Sequence, residues 1–109
     1  MLALIEQNLA VIESLCRQYG VRRLDIFGSS TSEAFDVAKS DIDLLVEFNS
    51  NYDLGPWMKH YFELRDALAK VLGRNVDLVM ADSVTNPYLV QAIQDSRRPI
   101  YAPEIPQTA

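Results

Sequence analysis

Three aspartates stand in or beside apolar runs that are typical of β-strands. Asp41 and Asp43 open the run 41–48, and Asp77 lies in the run 75–80. Side chains two residues apart on a strand share a face at a spacing of about 6.6 Å, so the first two carboxylates repel, and aliphatic neighbours add a desolvation cost. Mg²⁺ relieves both costs because it binds one or two carboxylates together with phosphate oxygens and water. The pattern predicts a catalytic metal site at Asp41 and Asp43, joined by Asp77 if the two strands are neighbours.

A glycine followed by serines precedes the aspartate pair and suits phosphate binding. Gly28 and Ser29 close the apolar run 21–29. Glycine lets the backbone approach a phosphate closely, and a serine hydroxyl is a hydrogen-bond donor. The hydroxyl-bearing run 30–32 can cap a short helix whose N–H groups also face an anion. We therefore predict that Gly28, Ser29 and Ser30 bind the phosphates of a nucleotide.

Apolar residues at steps of three and four predict two long amphipathic helices. The first covers residues 2–19 and ends at Gly20. Its apolar stripe consists of Ile5, Leu9, Ile12, Cys16 and Tyr19. The second begins at Pro56 and ends before Gly73. Its stripe consists of Trp57, Tyr61, Leu64, Leu68 and Val71, and the spacing favours core positions over base stacking for its aromatic members. A third helix is predicted over 88–94, where Asn86 is the N-cap.

The strand pattern predicts an α/β fold. Runs 21–29, 41–48 and 75–80 are predicted strands, and 99–102 is a short fourth. In the second run, strict alternation places one apolar set on a single face. That set is Ile42, Leu44, Val46 and Phe48. Strands that alternate with helices favour a small mixed β-sheet flanked by helices. We expect one domain over 1–102, with 103–109 as a flexible tail.

Charge and composition argue against nucleic-acid and membrane partners. Ten basic and fifteen acidic residues give a net charge of -5 at pH 7, which repels phosphate backbones. The apolar runs are far shorter than the ~20 residues of a membrane span, and the N-terminus lacks the basic start of a secretory signal. The single cysteine, Cys16, cannot form an internal disulfide. These features predict a cytoplasmic protein.

The order of the motifs resembles that of one known family. Phe27-Gly28-Ser29, followed by Ser-Asp-Ile-Asp-Leu-Leu-Val at 40–46, is similar to the signature of polymerase-beta-like nucleotidyltransferases, specifically the minimal nucleotidyltransferase (MNT) group. The resemblance covers nearly the whole chain, and Asp77 stands at the place of the group's third carboxylate. It implies the polymerase-beta-like fold and transfer of a nucleoside monophosphate from ATP. Pyrophosphate would leave, and two Mg²⁺ ions would be required.

The resemblance also implies a protein partner. Many MNT proteins are antitoxins that bind a HEPN-domain ribonuclease toxin and adenylylate one of its tyrosines. A hetero-oligomer with such a toxin and AMP transfer to a tyrosine hydroxyl are therefore expected. One segment departs from the family pattern, because Glu33 and Ala34 stand where arginine and glycine are common.

Other classes of protein fit the sequence less well. A P-loop ATPase would carry G-x-x-x-x-G-K-[ST], which does not occur in this sequence. A single histidine, His60, and a single cysteine do not make a Cys/His metal cluster. Glycosyltransferases that use Asp-x-Asp normally exceed this length, and drug-modifying nucleotidyltransferases need a further domain for the acceptor. The main competitor is a non-catalytic antitoxin that neutralises its partner by occlusion.

Overall fold

The computed structural model describes residues 3–28 and 41–103. In chain order, these ranges form α1 (Ala3–Gln7), α2 (Leu9–Gln18), β1 (Val21–Ile26), β2 (Ile42–Phe48), α3 (Lys59–Leu72), β3 (Val76–Met80), α4 (Pro87–Ser96) and β4 (Arg98–Tyr101). Two predicted nucleotide-binding residues, Ser29 and Ser30, lie outside the described residues, as does the predicted tail beyond Pro103. None of the helices in the described ranges is long and apolar enough to cross a membrane.

The four strands form one mixed sheet in the order β3-β2-β1-β4. β1 is antiparallel to both β2 and β4, whereas β2 and β3 are parallel. Parallel neighbours need a crossover connection, which here contains α3. The predicted small mixed sheet flanked by helices is confirmed.

Both faces of the sheet are covered by helices. The main core joins α1, α2 and α3 to one face, and the predicted inward-facing residues Ile42, Leu44 and Val46 are at most 1% exposed there. On the opposite face, Leu45 packs with Phe27 and with Ile93 of α4. Burial on both faces makes β2 the central scaffold of the molecule.

The prediction of one continuous helix over residues 2–19 is wrong, because the chain breaks at Asn8 between α1 and α2. The Asn8 side-chain amide donates a hydrogen bond to the Leu4 carbonyl at 2.8 Å. Such side-chain bonds compete with the backbone ladder of a helix. The apolar stripe survives the break, since Ile5, Ile12 and Cys16 are all buried. Burial raises the pKa of the Cys16 thiol to about 12, which suits a packing role.

The predicted start of the second long helix and the core position of Trp57 are also wrong. Pro56–Met58 forms a separate 3₁₀ turn, and α3 begins only at Lys59. Trp57 and Met58 have φ values of 57° and 56°, in the left-handed region that interrupts an α-helix. Trp57 is consequently 94% exposed. Of the rest of the predicted stripe, Tyr61, Leu64 and Leu68 face the core, whereas the last core position belongs to Leu72 and not to the predicted Val71.

The remaining predicted elements occur with shifted ends. β1 ends at Ile26 instead of residue 29, and β4 covers Arg98–Tyr101 instead of 99–102. α4 is longer than predicted, at Pro87–Ser96. Its predicted N-cap is confirmed, because Asn86 Oδ1 accepts from the backbone N–H groups of Tyr88 at 2.9 Å and Leu89 at 3.3 Å.

A buried ion cluster fastens the end of α4 to the sheet. Asp25, in β1, is fully buried and pairs with Arg23 Nη2 at 2.9 Å and with the Arg97 guanidinium. Arg97 also reaches Glu47 of β2 at 3.3 Å, and Glu47 pairs with Arg22. Because a buried carboxylate is costly unless it is paired, Asp25 requires Arg97 to stay next to the sheet.

We predict that Arg97→Gln lowers the free energy of unfolding by about 3 kcal/mol, since it leaves the buried Asp25 with Arg23 as its cationic partner. Arg98→Gln is a matched control, because the neighbouring guanidinium is exposed and contacts the carbonyls of Ser96 and Arg97. Urea unfolding of both variants measures the difference. Equal losses would contradict a specific role for the Asp25–Arg97 pair.

Candidate active site

The parallel pairing of β2 with β3 brings two of the predicted aspartates side by side. Asp43 and Asp77 are direct partners in the strand register, and neighbouring strands lie about 4.8 Å apart. The register begins where the Ile42 N–H donates to the Asn75 carbonyl at 3.0 Å. Asp41 precedes β2 and is exposed. The condition set by the sequence, that the two strands be neighbours, is met.

The electrostatics of Asp43 report that the three carboxylates are close together. Asp43 is half-buried, and its pKa is raised above the ordinary 3.8 by burial first, then by the charges of Asp77 and Asp41. Asp77 is exposed. The ionised form of Asp43 is therefore destabilised in the folded protein, and a bound cation would reverse that penalty.

These residues fit a magnesium site made of two carboxylates. Within residues 3–28 and 41–103, no three His, Cys, Asp or Glu side chains are placed so that together they could hold a metal ion. Mg²⁺ does not require such a cage, because it uses one or two carboxylates and completes its shell with phosphate oxygens and water. The adjacent Asp43 and Asp77 supply that minimum, and the full ligand set of Asp41, Asp43 and Asp77 stays a prediction.

Gly28 lies directly against Asp43. Its φ is +65°, and a Cβ added to it would lie 3.2 Å from Asp43 Oδ2. The preceding Phe27 N–H donates to the Asp43 carbonyl at 3.1 Å, so β1 and β2 fix the approach. The position suits glycine for two reasons, the left-handed backbone and the space above the carboxylate. The predicted phosphate contacts of Ser29 and Ser30 stay predictions.

Three residues near the site were not singled out as functional from the sequence. Tyr61 of α3 donates a hydrogen bond to the Leu78 carbonyl, next to Asp77, and its pKa is raised mainly by burial. Ser96 Oγ accepts from the Gly28 N–H at 2.9 Å, and Arg97 holds α4 in place. Of these three, Arg97 alone had a signal in the sequence. Asp25 is an isolated aspartate in an apolar strand, and a buried carboxylate needs a cationic partner.

His60 packs between the segment before α3 and the end of α2. Its Nδ1 lies 3.1 Å from the Tyr52 hydroxyl and 2.9 Å from the Asp53 carbonyl. Its ring also meets the ring of Tyr19 edge-on, at a centroid distance of 6.5 Å. These contacts join the segment before α3 to the end of α2.

The chain matches known nucleotidyltransferase sequences over most of its length. Residues 10–100 match the nucleotidyltransferase domain family. A candidate protein adenylyltransferase of Methanocaldococcus jannaschii is 41% identical over 81 residues, covering 74% of this chain and 78% of that protein. Protein adenylyltransferase MntA of Thermococcus cleftensis is 37% identical over 73 residues, covering 66% and 68%. The range matched by the family, 10–100, contains Asp41, Asp43 and Asp77.

Solved structures share the fold. A candidate minimal nucleotidyltransferase superimposes with a TM-score of 0.68 at 30% identity, over 87% of this chain and 91% of that chain. A toxin–antitoxin structure containing AMP-PNP superimposes with a TM-score of 0.65 at 26% identity, over 89% and 75%. The similarity therefore extends from sequence motifs to the arrangement of strands and helices.

We predict that Asp43→Asn raises the melting temperature at pH 7.5 without divalent cations. Because the folded-state pKa of Asp43 is raised, its contribution to stability is complete below the unfolded-state pKa and is lost as pH rises through the folded-state value. The difference between variant and wild type should therefore close toward pH 3.5, and at pH 7.5 Mg²⁺ with ATP should stabilise only the wild type. Calorimetry measures both, with the exposed Asp82→Asn as control. A variant less stable than wild type at pH 7.5 would contradict the repulsion.

We predict that Gly28→Ala weakens the binding of magnesium AMP-PNP at least about tenfold, because the new methyl group displaces the Asp43 carboxylate. Gly73→Ala is the matched control: Gly73 has φ +66°, and an added Cβ there meets nothing within 4 Å. Both variants bear the same backbone strain, so titration calorimetry isolates the contact with Asp43. Equal affinities in the two variants would contradict this geometry.

Proposed function

This chain belongs to the nucleotidyltransferase domain family, in its minimal nucleotidyltransferase group, and from that premise we propose that it transfers AMP from ATP to a hydroxyl group of a protein partner. The observation that carries the proposal is the register of Asp43 against Asp77, with Gly28 against Asp43. Relatives named as protein adenylyltransferases support AMP as the transferred group.

The three aspartates divide two roles in the proposed site. Asp41 and Asp43 would hold one Mg²⁺ against the triphosphate, and Asp77 would help to hold a second near the acceptor. Bound Mg²⁺ supplies neutralisation of phosphate charge and lowers the pKa of a coordinated hydroxyl. Gly28 contributes space, since it places no side chain of its own against Asp43. Positioning and charge stabilisation of this kind account for most of the catalysis of phosphoryl-group transfer.

The transfer itself is a substitution at the α-phosphorus of ATP. The acceptor oxygen forms a bond to that phosphorus, and the bond from the phosphorus to the oxygen that bridges the α- and β-phosphates breaks. Pyrophosphate leaves, and the hydroxyl proton passes to the Asp77 carboxylate as general base. The exposure of Asp77 supports this role, because the acceptor must reach the base from outside.

The proposed acceptor is a tyrosine of a HEPN-domain toxin, with this chain as its antitoxin. The motif resemblance supports this partner, and so does the 26% identical toxin–antitoxin structure with AMP-PNP. Large exposed side chains are also suited to a protein interface. Trp57 and Tyr88 are 94% and 87% exposed, and both aromatic types are common anchors of binding energy.

A non-catalytic antitoxin is the second candidate. Glu33 and Ala34 replace the arginine and glycine common in the family, and an acidic side chain beside a triphosphate would weaken phosphate binding. Such a protein would retain its carboxylates without turnover and neutralise the toxin by covering it. The two functions differ in whether the partner becomes covalently modified.

We predict that a purified HEPN-domain partner, incubated with this chain, ATP and Mg²⁺, gains about 329 Da per transferred AMP. Intact-protein mass spectrometry measures the gain, and peptide fragmentation locates it on tyrosine. The double variant Asp41→Asn with Asp43→Asn should abolish the gain because it removes the ion-binding carboxylates.

Complex formation separates catalysis from binding in the same experiment. The double variant should still bind the partner, because two substitutions at the strand end leave the helix surfaces intact. Asp82→Asn controls for loss of an exposed acidic charge and should modify the partner at the wild-type rate. Stoichiometric neutralisation by wild type without any mass gain would favour the occluding antitoxin and remove the catalytic roles of Asp41, Asp43 and Asp77.

A further inference from the structure

Ser96, the last residue of α4, touches the backbone of the candidate active site. Its Oγ accepts a hydrogen bond from the Gly28 N–H at 2.9 Å and donates to the Ala92 carbonyl at 3.0 Å. A hydroxyl has one proton and two lone pairs. The Ser96 proton is donated to the Ala92 carbonyl, and a lone pair of Oγ accepts from the Gly28 N–H. The Ser96 hydroxyl is therefore held from both sides.

The contact occurs at the point where Gly28 determines the space above Asp43. A Cβ on Gly28 would lie 3.2 Å from Asp43 Oδ2, and the next peptide back donates to the Asp43 carbonyl. A rotation of the Gly28 peptide would change the space beside the Asp43 carboxylate, where we propose that the triphosphate binds. The Gly28 N–H is directed at Ser96 Oγ, so this hydrogen bond fixes the orientation of the Gly28 peptide. Gly28 itself adds no side chain to the space beside Asp43.

The C-terminal end of α4 is anchored to the sheet by residues that come before and after Ser96 in the sequence. Ile93 packs against Phe27 and Leu45, and Arg97 pairs with the buried Asp25. A side chain on well-anchored elements can hold its hydrogen-bond partner in place as precisely as a binding site requires. The Ser96 hydroxyl is thus placed by the hydrophobic contact before it and the ion pair after it.

We infer that Ser96 is a positioning residue for nucleotide binding: its hydroxyl fixes the Gly28 peptide and so keeps open the space in which the triphosphate approaches Asp43. The inference rests on the proposed function, because it assigns a role within the same site. Ser96 acts through Gly28 and has no part in the chemical step. Loss of the hydroxyl should therefore weaken the binding of ATP more than it slows turnover.

The decisive comparison is Ser96→Thr against Ser96→Val, two side chains of similar shape of which only threonine has a hydroxyl. Ser96→Val should raise KM for ATP about fivefold in the transfer assay with the protein partner, as expected for one lost hydrogen bond, with a smaller change in kcat. Ser96→Thr should restore the wild-type KM. Ser96→Ala should have the same effect on KM as Ser96→Val. It serves as the second variant if Ser96→Val does not fold, because alanine has a higher helix propensity than valine.

A second measurement follows the contact without nucleotide. Hydrogen exchange of the Gly28 amide, followed by NMR, should be faster in Ser96→Val and Ser96→Ala than in wild type and Ser96→Thr. Ser83→Ala is the matched control, because the exposed Ser83 hydroxyl donates to the Met80 carbonyl at 2.7 Å, away from Gly28. It should change neither KM nor the exchange of Gly28.

The outcomes separate the inference from the proposed function. An active wild type whose KM for ATP is the same in Ser96→Val and Ser96→Thr would overturn the role of Ser96 alone. Unchanged exchange of the Gly28 amide in Ser96→Ala would overturn the contact itself. A wild type that neither binds magnesium AMP-PNP nor modifies the partner would overturn the proposed function, and the positioning role with it.

Discussion

The parallel register between β2 and β3 is the constraint on which the site depends. It places Asp43 beside Asp77, while the antiparallel partner β1 ends so that Gly28 meets the same carboxylate. A shift of either strand by one residue would turn the aspartate to the other face of the sheet. The hydrophobic core prevents that shift, because Leu44 and Leu78 would leave it at the same time.

The candidate site carries a local cost in stability. Burial and two neighbouring carboxylates raise the pKa of Asp43, so its ionised form is disfavoured in the folded protein, and a bound cation would offset that cost. Elsewhere on the same face, Asp25 is buried between Arg23 and Arg97. Asp25 thus lies beside two arginines, whereas the charges that raise the pKa of Asp43 are those of two other carboxylates.

α4 links these two acidic positions. Its C-terminal end bears Ser96, which contacts Gly28, and is followed by Arg97, which contacts Asp25. The helix also covers Leu45 on the second face of β2. A single element therefore closes the core and sets the backbone geometry beside the carboxylate pair, which explains why the end of α4 matters to a site formed by other strands.

Local periodicity in the sequence determined which residues share a face. It predicted the buried positions Ile42, Leu44 and Val46 of β2 and the apolar stripes of the helices, among them Ile5, Ile12, Cys16, Leu64 and Leu68. Short-range chemistry also determined the Asn86 cap. Tertiary structure alone decided the pairing of Asp43 with Asp77, the contacts of Gly28 with Ser96 and of Asp25 with Arg97, and the exposure of Trp57. Alternation and helical period record the orientation of side chains within one element, whereas register and contacts between distant residues depend on how several elements pack at once.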